Sequence, residues 1–219
     1  MHITDILNTK LLQIGSTLRL DKESNEIGKQ IAYQGVEDRS MEIIRVREEK
    51  EIWVSFQCQG VFLPSLYSSD IEEIINIIFK FLELKISLKY FFNNYNKSPI
   101  DISDLIDDKE ILLELSWFKF TQPSQTDYME PKEWLLIKQF SKSIQSIAKT
   151  KKLFPDRSMY RLCFYSNKKN NLEDFPCIWV SKKEEPTLFG IGYYNGPQIS
   201  VGFEKEILIY FEQIIRKIN

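Results

Sequence analysis

Histidine is almost missing from this chain: of 219 residues only His2 carries an imidazole. Residues beside a terminus tend to fray, so no histidine is expected to work in a cleft. Ser-His-Asp and Cys-His nucleophiles, histidine-containing zinc sites and histidine proton relays therefore fall away. Carboxylate pairs, lysine chemistry and all-oxygen metal sites need no imidazole and stay open. Glycine is also scarce, at eight residues. Gly190-Ile191-Gly192 lacks the third glycine and the following helix of a dinucleotide loop, and a GK[ST] phosphate loop is missing altogether. The three cysteines, Cys58, Cys163 and Cys177, form no CxxC pair and lie in strand-like stretches. Buried free thiols and a reducing compartment follow. No stretch reaches the roughly 18 uninterrupted apolar residues of a membrane span. The opening MHITDILNTKLLQIG lacks the basic start, apolar core and small-residue cleavage site of a signal peptide. The expected location is the cytoplasm.

What is present suffices for a core. With 43% hydrophobic residues, 219 residues make one large domain or two small ones. A net charge of −2 gives no global attraction to nucleic acid or to an anionic membrane, so such a partner would need a local patch.

Up to about Phe56 the chain alternates apolar and polar residues, as in Leu18-Arg19-Leu20, Ile43 to Arg47 and Ile52 to Phe56. This predicts an antiparallel meander, with Glu48 to Glu51 as a charged hairpin connection. Ser69-Asp70-Ile71-Glu72 has capping-box spacing, and Ile71, Ile74, Ile75, Ile78, Phe81 and Leu82 then share one helical face. After it Leu84 to Leu88 alternates, Asn93 to Pro99 reads as a loop and Asp101 to Trp117 as a short acidic helix. The polar segment from Thr121 to Glu130 is where a hinge would fall. A helix follows, with Pro131 in its first turn and Trp134, Leu135, Ile137, Phe140, Ser141, Ile144, Ile147 and Ala148 at helical spacing. Lys149, Lys151 and Lys152 close it, where cations complement the dipole. Four strand-like runs come next, Met159 to Tyr165, Pro176 to Ser181, Leu188 to Tyr194 and Ile199 to Phe203, divided by turn-rich segments that include NKKNN and NGP. An amphipathic helix from about Glu204 to Ile218 ends the sequence. The expected class is α+β, with antiparallel sheets each followed by an amphipathic helix. Its parts are residues 1–120 and 121–219, or one continuous domain. Two similarly built halves would give this pattern, and so would a generic meander-plus-helix unit used twice.

Six acids between Asp101 and Glu114, namely Asp101, Asp104, Asp107, Asp108, Glu110 and Glu114, face one Lys109. Their spacing lacks the alternate ligands, sixth-position glycine and twelfth-position glutamate of a calcium loop, so no metal is expected. They read as a solvated helix surface or as a docking face for a basic partner. Paired acids at helix starts, Glu72 with Glu73 and Glu204 with Glu206, are read as serving the helix dipole, so no catalytic residue is assigned. From Lys132 to Lys183 twelve Lys or Arg stand against four acids, with Tyr160, Phe164, Tyr165 and Trp179 among them. That mixture can track phosphates and stack bases. Aromatics at strand spacing are more simply core, and Lys182 and Lys183 are followed by Glu184 and Glu185, so solvated surface is the preferred reading.

Leu153-Phe154-Pro155-Asp156-Arg157-Ser158, followed by Leu162-Cys163-Phe164-Tyr165-Ser166, Pro176 and a closing strand and helix, resembles a poorly characterised bacterial family with a terminal LFPxxS…LxFxxS pattern. The upstream segment Val54 to Leu82 and a tryptophan, Trp117 or Trp134, are also similar. In that reading Leu153 and Phe154 pack, Pro155 ends a helix and Ser158 caps a turn. The family supplies no activity for individual residues, and some members are loosely labelled biosynthetic. In general character the chain is similar to bacterial toxin-immunity proteins. The expected function is then a non-enzymatic, cofactor-free cytoplasmic protein that occludes a cognate polymorphic toxin of a contact-dependent or type VI secretion system. Its candidate contacts are Asp101, Asp104, Asp107, Asp108 and Glu110 on the acidic stretch, and Tyr193, Tyr194 and Asn195 before Gly196-Pro197. A carboxylate-based small enzyme or biosynthetic accessory is the first alternative, and a nucleic-acid-binding module on the Lys132 to Lys183 region the second.

Overall fold

A computed structural model describes residues 2–22, 29–46, 51–122, 131–158, 160–166, 175–193 and 196–217. The chain divides into two compact units, Met1–Leu112 and Leu113–Asn219. Both have the expected α+β character: each contains a five-stranded antiparallel meander followed by a helix.

The N-terminal unit opens with α1 (Ile3–Gln13), which the alternation of the first segment hid. His2 is its N-cap, its Nδ1 accepting from the Thr4 N–H at 3.3 Å. The sole imidazole is thus a helix cap. The meander is β1 (Asp21–Lys22), β2 (Lys29–Val36), β3 (Arg39–Val46), β4 (Ile52–Cys58) and β5 (Val61–Ser68), paired in chain order. In β4 the period-two burial is complete, with Ile52, Val54, Phe56 and Cys58 all inward. Leu18 and Leu20 are buried as their alternation implies, yet they form no strand. The Asn8 amide supplies what a neighbouring strand would, donating to Leu20 O at 3.0 Å and accepting from Leu20 N at 2.8 Å. Of the proposed Glu48 to Glu51 connection, residues 48–50 lie outside the described residues.

The helix after the meander, α2 (Ile71–Ile78), is capped by Asp70, one residue later than the spacing suggested. Its Oδ1 accepts from Glu72 N at 2.8 Å and Glu73 N at 3.3 Å. Beyond Ile78 the backbone loosens into a π-helical segment, Phe79–Glu83, closed by Leu84 N donating to Phe79 O. The alternation from Leu84 to Leu88 is therefore not a strand: Lys85 has a left-handed φ of 48°, and Ser87 caps α3 (Leu88–Asn94). Residues 101–107 form turns, and the acidic helix is α4 (Asp108–Thr121). The division between units falls inside it.

One cation organises the end of this unit. Arg39 lies on the core face of β3, in register with Cys58, and is 6% exposed. Its guanidinium donates to Phe81 O at 3.2 Å, Ile86 O at 2.6 Å and Asp108 Oδ2 at 3.0 Å, and sits 5.0 Å from the centroid of the Phe81 ring. The other Asp108 oxygen accepts from Leu88 N at 2.7 Å, at the start of α3. Beneath it Phe56, Phe81 and Phe91 meet with centroids 4.9–5.3 Å apart.

The C-terminal unit has the long helix α5 (Lys132–Thr150), the meander β6 (Phe154–Ser158), β7 (Arg161–Tyr165), β8 (Pro176–Lys182), β9 (Leu188–Tyr193) and β10 (Gln198–Gly202), and then α6 (Glu204–Lys217). Pro131 is the residue before α5 rather than its first turn. One face of the sheet meets the helices through Phe164 with Phe211 and Phe140 with Phe189. Trp117 is fully buried and donates its indole N–H to Leu153 O at 2.8 Å. The Leu153–Ser158 motif is corrected here: α5 ends at Thr150, and Pro155 sits inside β6. That strand is a sheet edge, where a missing N–H is tolerated. The run expected from Met159 to Tyr165 is β7 alone, joined to β6 as a hairpin in which Ser158 faces Arg161. Met159, Asn167 to Asn171 and Ile218 lie outside the described residues. No helix among the described residues is long and apolar enough to cross a membrane.

Replacing Arg39 by Met orphans two carbonyls and a carboxylate, and is expected to lower the unfolding free energy by about 3 kcal/mol. Asp108→Asn keeps one acceptor and should cost about 1 kcal/mol. Urea midpoints at unchanged slope measure both. A loss for Arg39→Met within the roughly 0.5 kcal/mol of a surface change would refute this role.

Candidate functional site

The acids chosen from the sequence separate into those that build and those that face solvent. Asp108 belongs to the Arg39 tie. Asp101 holds a turn, its Oδ1 accepting from Ser103 N at 2.9 Å and Ser103 Oγ at 2.7 Å; these bonds keep its carboxyl below the usual range. Asp107 caps α4, accepting from Glu110 N at 2.9 Å, while Glu110 reaches back to Ile106 N at 2.9 Å. Lys89 pins the same turn from α3, donating to Ser103 O at 2.7 Å and Leu105 O at 3.2 Å. Asp104 is exposed. Among the described residues no group of three or more His, Cys, Asp or Glu could hold a metal.

What this bracing presents is Ile106. It is 87% exposed, more than any other large hydrophobic among the described residues. Its own N–H is fixed by Glu110, and Asp104 and Asp107 flank it in sequence. An apolar side chain on a rigid turn with an acidic rim has the composition of a contact for a basic partner. Sequence reading passed over Ile106 because it looked for the charges and not for what they surround.

The second candidate is less developed. Tyr193 ends β9 and is 36% exposed, with its Cβ against Gly196. Tyr194 and Asn195 lie outside the described residues. The chain matches no family model, no curated protein and no solved structure.

Much of the positive charge between Lys132 and Lys183 is engaged. Lys149 pairs with Glu114 at 2.6 Å and Lys183 with Glu133 at 2.9 Å. Arg157 lies 4.3 Å from the Trp134 ring centroid and Arg161 5.4 Å from that of Trp179. Three lysines, Lys132, Lys138 and Lys142, line a groove of about 310 Å³ on α5, together with Leu135, Leu136 and Gln139.

On the sheet face away from Phe164, Gly190 and Gly192 serve an indole instead of a nucleotide. A Cβ on Gly190 would run into the Trp179 ring, which lies across both glycines from the neighbouring strand. The same face holds Cys163 and Cys177, both fully buried and hydrogen-bonded to each other across β7 and β8. That shared bond and burial hold the Cys163 proton above the ordinary thiol range, and burial pushes Cys58 up to about 11. All three cysteines are free and buried, as the sequence implied.

Gly190→Ala is expected to displace Trp179 and cost about 1–2 kcal/mol, the scale of overpacking. Chemical denaturation measures the loss, and Trp179→Ala in the same chain should recover most of it. Additive effects of the two substitutions would refute the contact.

Proposed function

We propose that this chain is a non-enzymatic binding protein, most concretely an immunity protein that neutralises a cognate bacterial polymorphic toxin by occluding it in the cytoplasm. The observation that carries the reading is the Ile106 turn. An isoleucine exposed to water while its turn is held by side chains of Asp101, Asp107, Glu110 and Lys89 is costly to present and gains from burial by a partner. The rigid turn lowers the ordering cost of binding. Asp104 and Asp107 add attraction for a basic surface, such as the rim of a nuclease active site.

Tagged protein expressed in its native host is expected to capture one stoichiometric protein that is toxic when expressed alone and neutral with this chain present. Ile106→Ser, an exposed change that leaves stability within about 0.5 kcal/mol, should weaken that complex at least about 30-fold, the weight of a hot spot near 2 kcal/mol. Asp104→Lys should slow association and flatten its salt dependence. Capture of no toxic partner, or equal affinity for all three proteins, would sink the reading.

A second reading rests on the lysine-lined groove of α5, which would take an anionic ligand such as a nucleic-acid phosphate. It requires binding that weakens steeply with added salt, and a loss on Lys132→Gln with Lys142→Gln that Ile106→Ser does not share.

A further inference from the structure

Two of the three free thiols stand side by side on one sheet. Among the described residues β7 and β8 are in register at Arg161 with Trp179 and at Leu162 with Ile178. One step further along the same antiparallel register, Cys163 falls opposite Cys177. The row across the sheet is then Asp156, Cys163, Cys177 and Gly192. Facing residues of antiparallel strands have Cα atoms about 4.5 or about 5.5 Å apart, according to the hydrogen-bonding class of the pair. Both separations lie inside the roughly 4.4–6.8 Å that a disulfide spans. The side chains are aimed at each other as well, since the two thiols share a hydrogen bond and both are fully buried. Cys58 is no third member: it lies in β4 of the other unit, opposite Arg39 and Val61.

We infer that Cys163 and Cys177 form a reversible cross-strand disulfide, made when a small hydroperoxide reaches the folded chain. Cys177 gives up its proton and its thiolate attacks one peroxide oxygen. The O–O bond breaks, and the second oxygen leaves as hydroxide and takes that proton. Cys163 then attacks the sulfenic acid so formed: the S–S bond forms, the S–O bond breaks, and the oxygen leaves as water with the Cys163 proton. In sum two thiols lose two electrons and two protons, and one hydrogen peroxide becomes two waters. The shared hydrogen bond sets the order of attack, because it lowers Cys177 below the ordinary thiol range against its burial while Cys163 keeps its proton. Full burial admits a peroxide only when the sheet opens locally, and the adjacent second sulfur captures the sulfenic acid before it is oxidised further. Among the described residues the β7–β8 ladder ends just before this pair, so the bridge ties the strands where their backbone pairing stops. In a reducing compartment the pair rests as thiols, and thiol–disulfide exchange restores it after oxidation.

The full chain, reduced and freed of reductant, is treated with hydrogen peroxide under native conditions, then unfolded in an alkylating agent and mapped by peptide mass. The expected product is a monomer that has lost two of its three thiols, with the Cys163 and Cys177 peptides linked and Cys58 alkylated. Its urea midpoint should lie above that of the reduced chain, and dithiothreitol should return it. Cys163→Ser should leave circular dichroism unchanged and stop at a sulfenic acid on Cys177 that dimedone traps. The peptide map of the unaltered chain decides the matter where that variant folds poorly. Both thiols alkylated after an exposure that fully oxidises free cysteine, a bridge to Cys58, or linkage between two chains overturns the proposal. So does a bridge that forms only once urea has unfolded the chain, since that assigns the pairing to the denatured state.

Discussion

The guanidinium of Arg39 is the constraint on which the N-terminal unit turns. A charge on the core face of a sheet is tolerated only where its hydrogen bonds are complete. Here the partners come from what the rest of the unit leaves unsatisfied. The π-helical segment after α2 ends without a regular run of acceptor pairings, and Phe81 O accepts from the arginine. The irregular stretch after it places Ile86 O within reach, and Asp108 neutralises the charge while capping α3 with its second oxygen. Three helical elements are thereby referred to one residue of β3. The π-segment is a consequence of this arrangement: it turns Phe81 into the cluster with Phe56 and Phe91 while its carbonyl faces the cation.

That tie also decides what the acidic stretch is. Six acids in sequence suggest a charged face, but Asp108 is consumed by Arg39, Asp107 and Glu110 by the start of α4, and Asp101 by a turn. What remains is the surface that these bonds hold still. The charge of this region therefore goes first into bracing the turn, and the exposed Ile106 is the side chain that the braced turn presents.

The elements with strong periodicity were legible: α2, α5, α6 and the central strands follow from isoleucine and aromatic spacing that packing reinforced. The failures have physical causes. In α1 only the spacing of Ile3, Leu7 and Leu11 reports a core face, and its apolar Leu12 and the C-cap Ile14 stay exposed, which blurs the helical signal. Leu18 and Leu20 alternate correctly but pair with a side chain, and a pattern of burial does not say whose hydrogen bonds satisfy the backbone. Pro155 was read as a helix stop because proline punctuates helices more often than it decorates a sheet edge. Arg39, the mutual approach of Cys163 and Cys177, and the indole over Gly190 and Gly192 all depend on register between distant strands, which no local window contains.

The C-terminal unit spends its cations differently. Lys149, Lys183, Arg157 and Arg161 are turned onto acids or indoles, so four of the twelve cations between Lys132 and Lys183 are held by partners within the unit. Its sheet edges differ in kind: β6 carries proline and paired charge, while β10 carries a register irregularity between Gln198 and Ser200. A single exposed hydrophobic side chain is ordinary on a protein surface, whereas here four side chains, those of Asp101, Asp107, Glu110 and Lys89, are committed to holding the turn that presents Ile106. Surfaces are selected against non-specific association, so a hydrophobic side chain held out in this way is the feature on which the proposed contact rests.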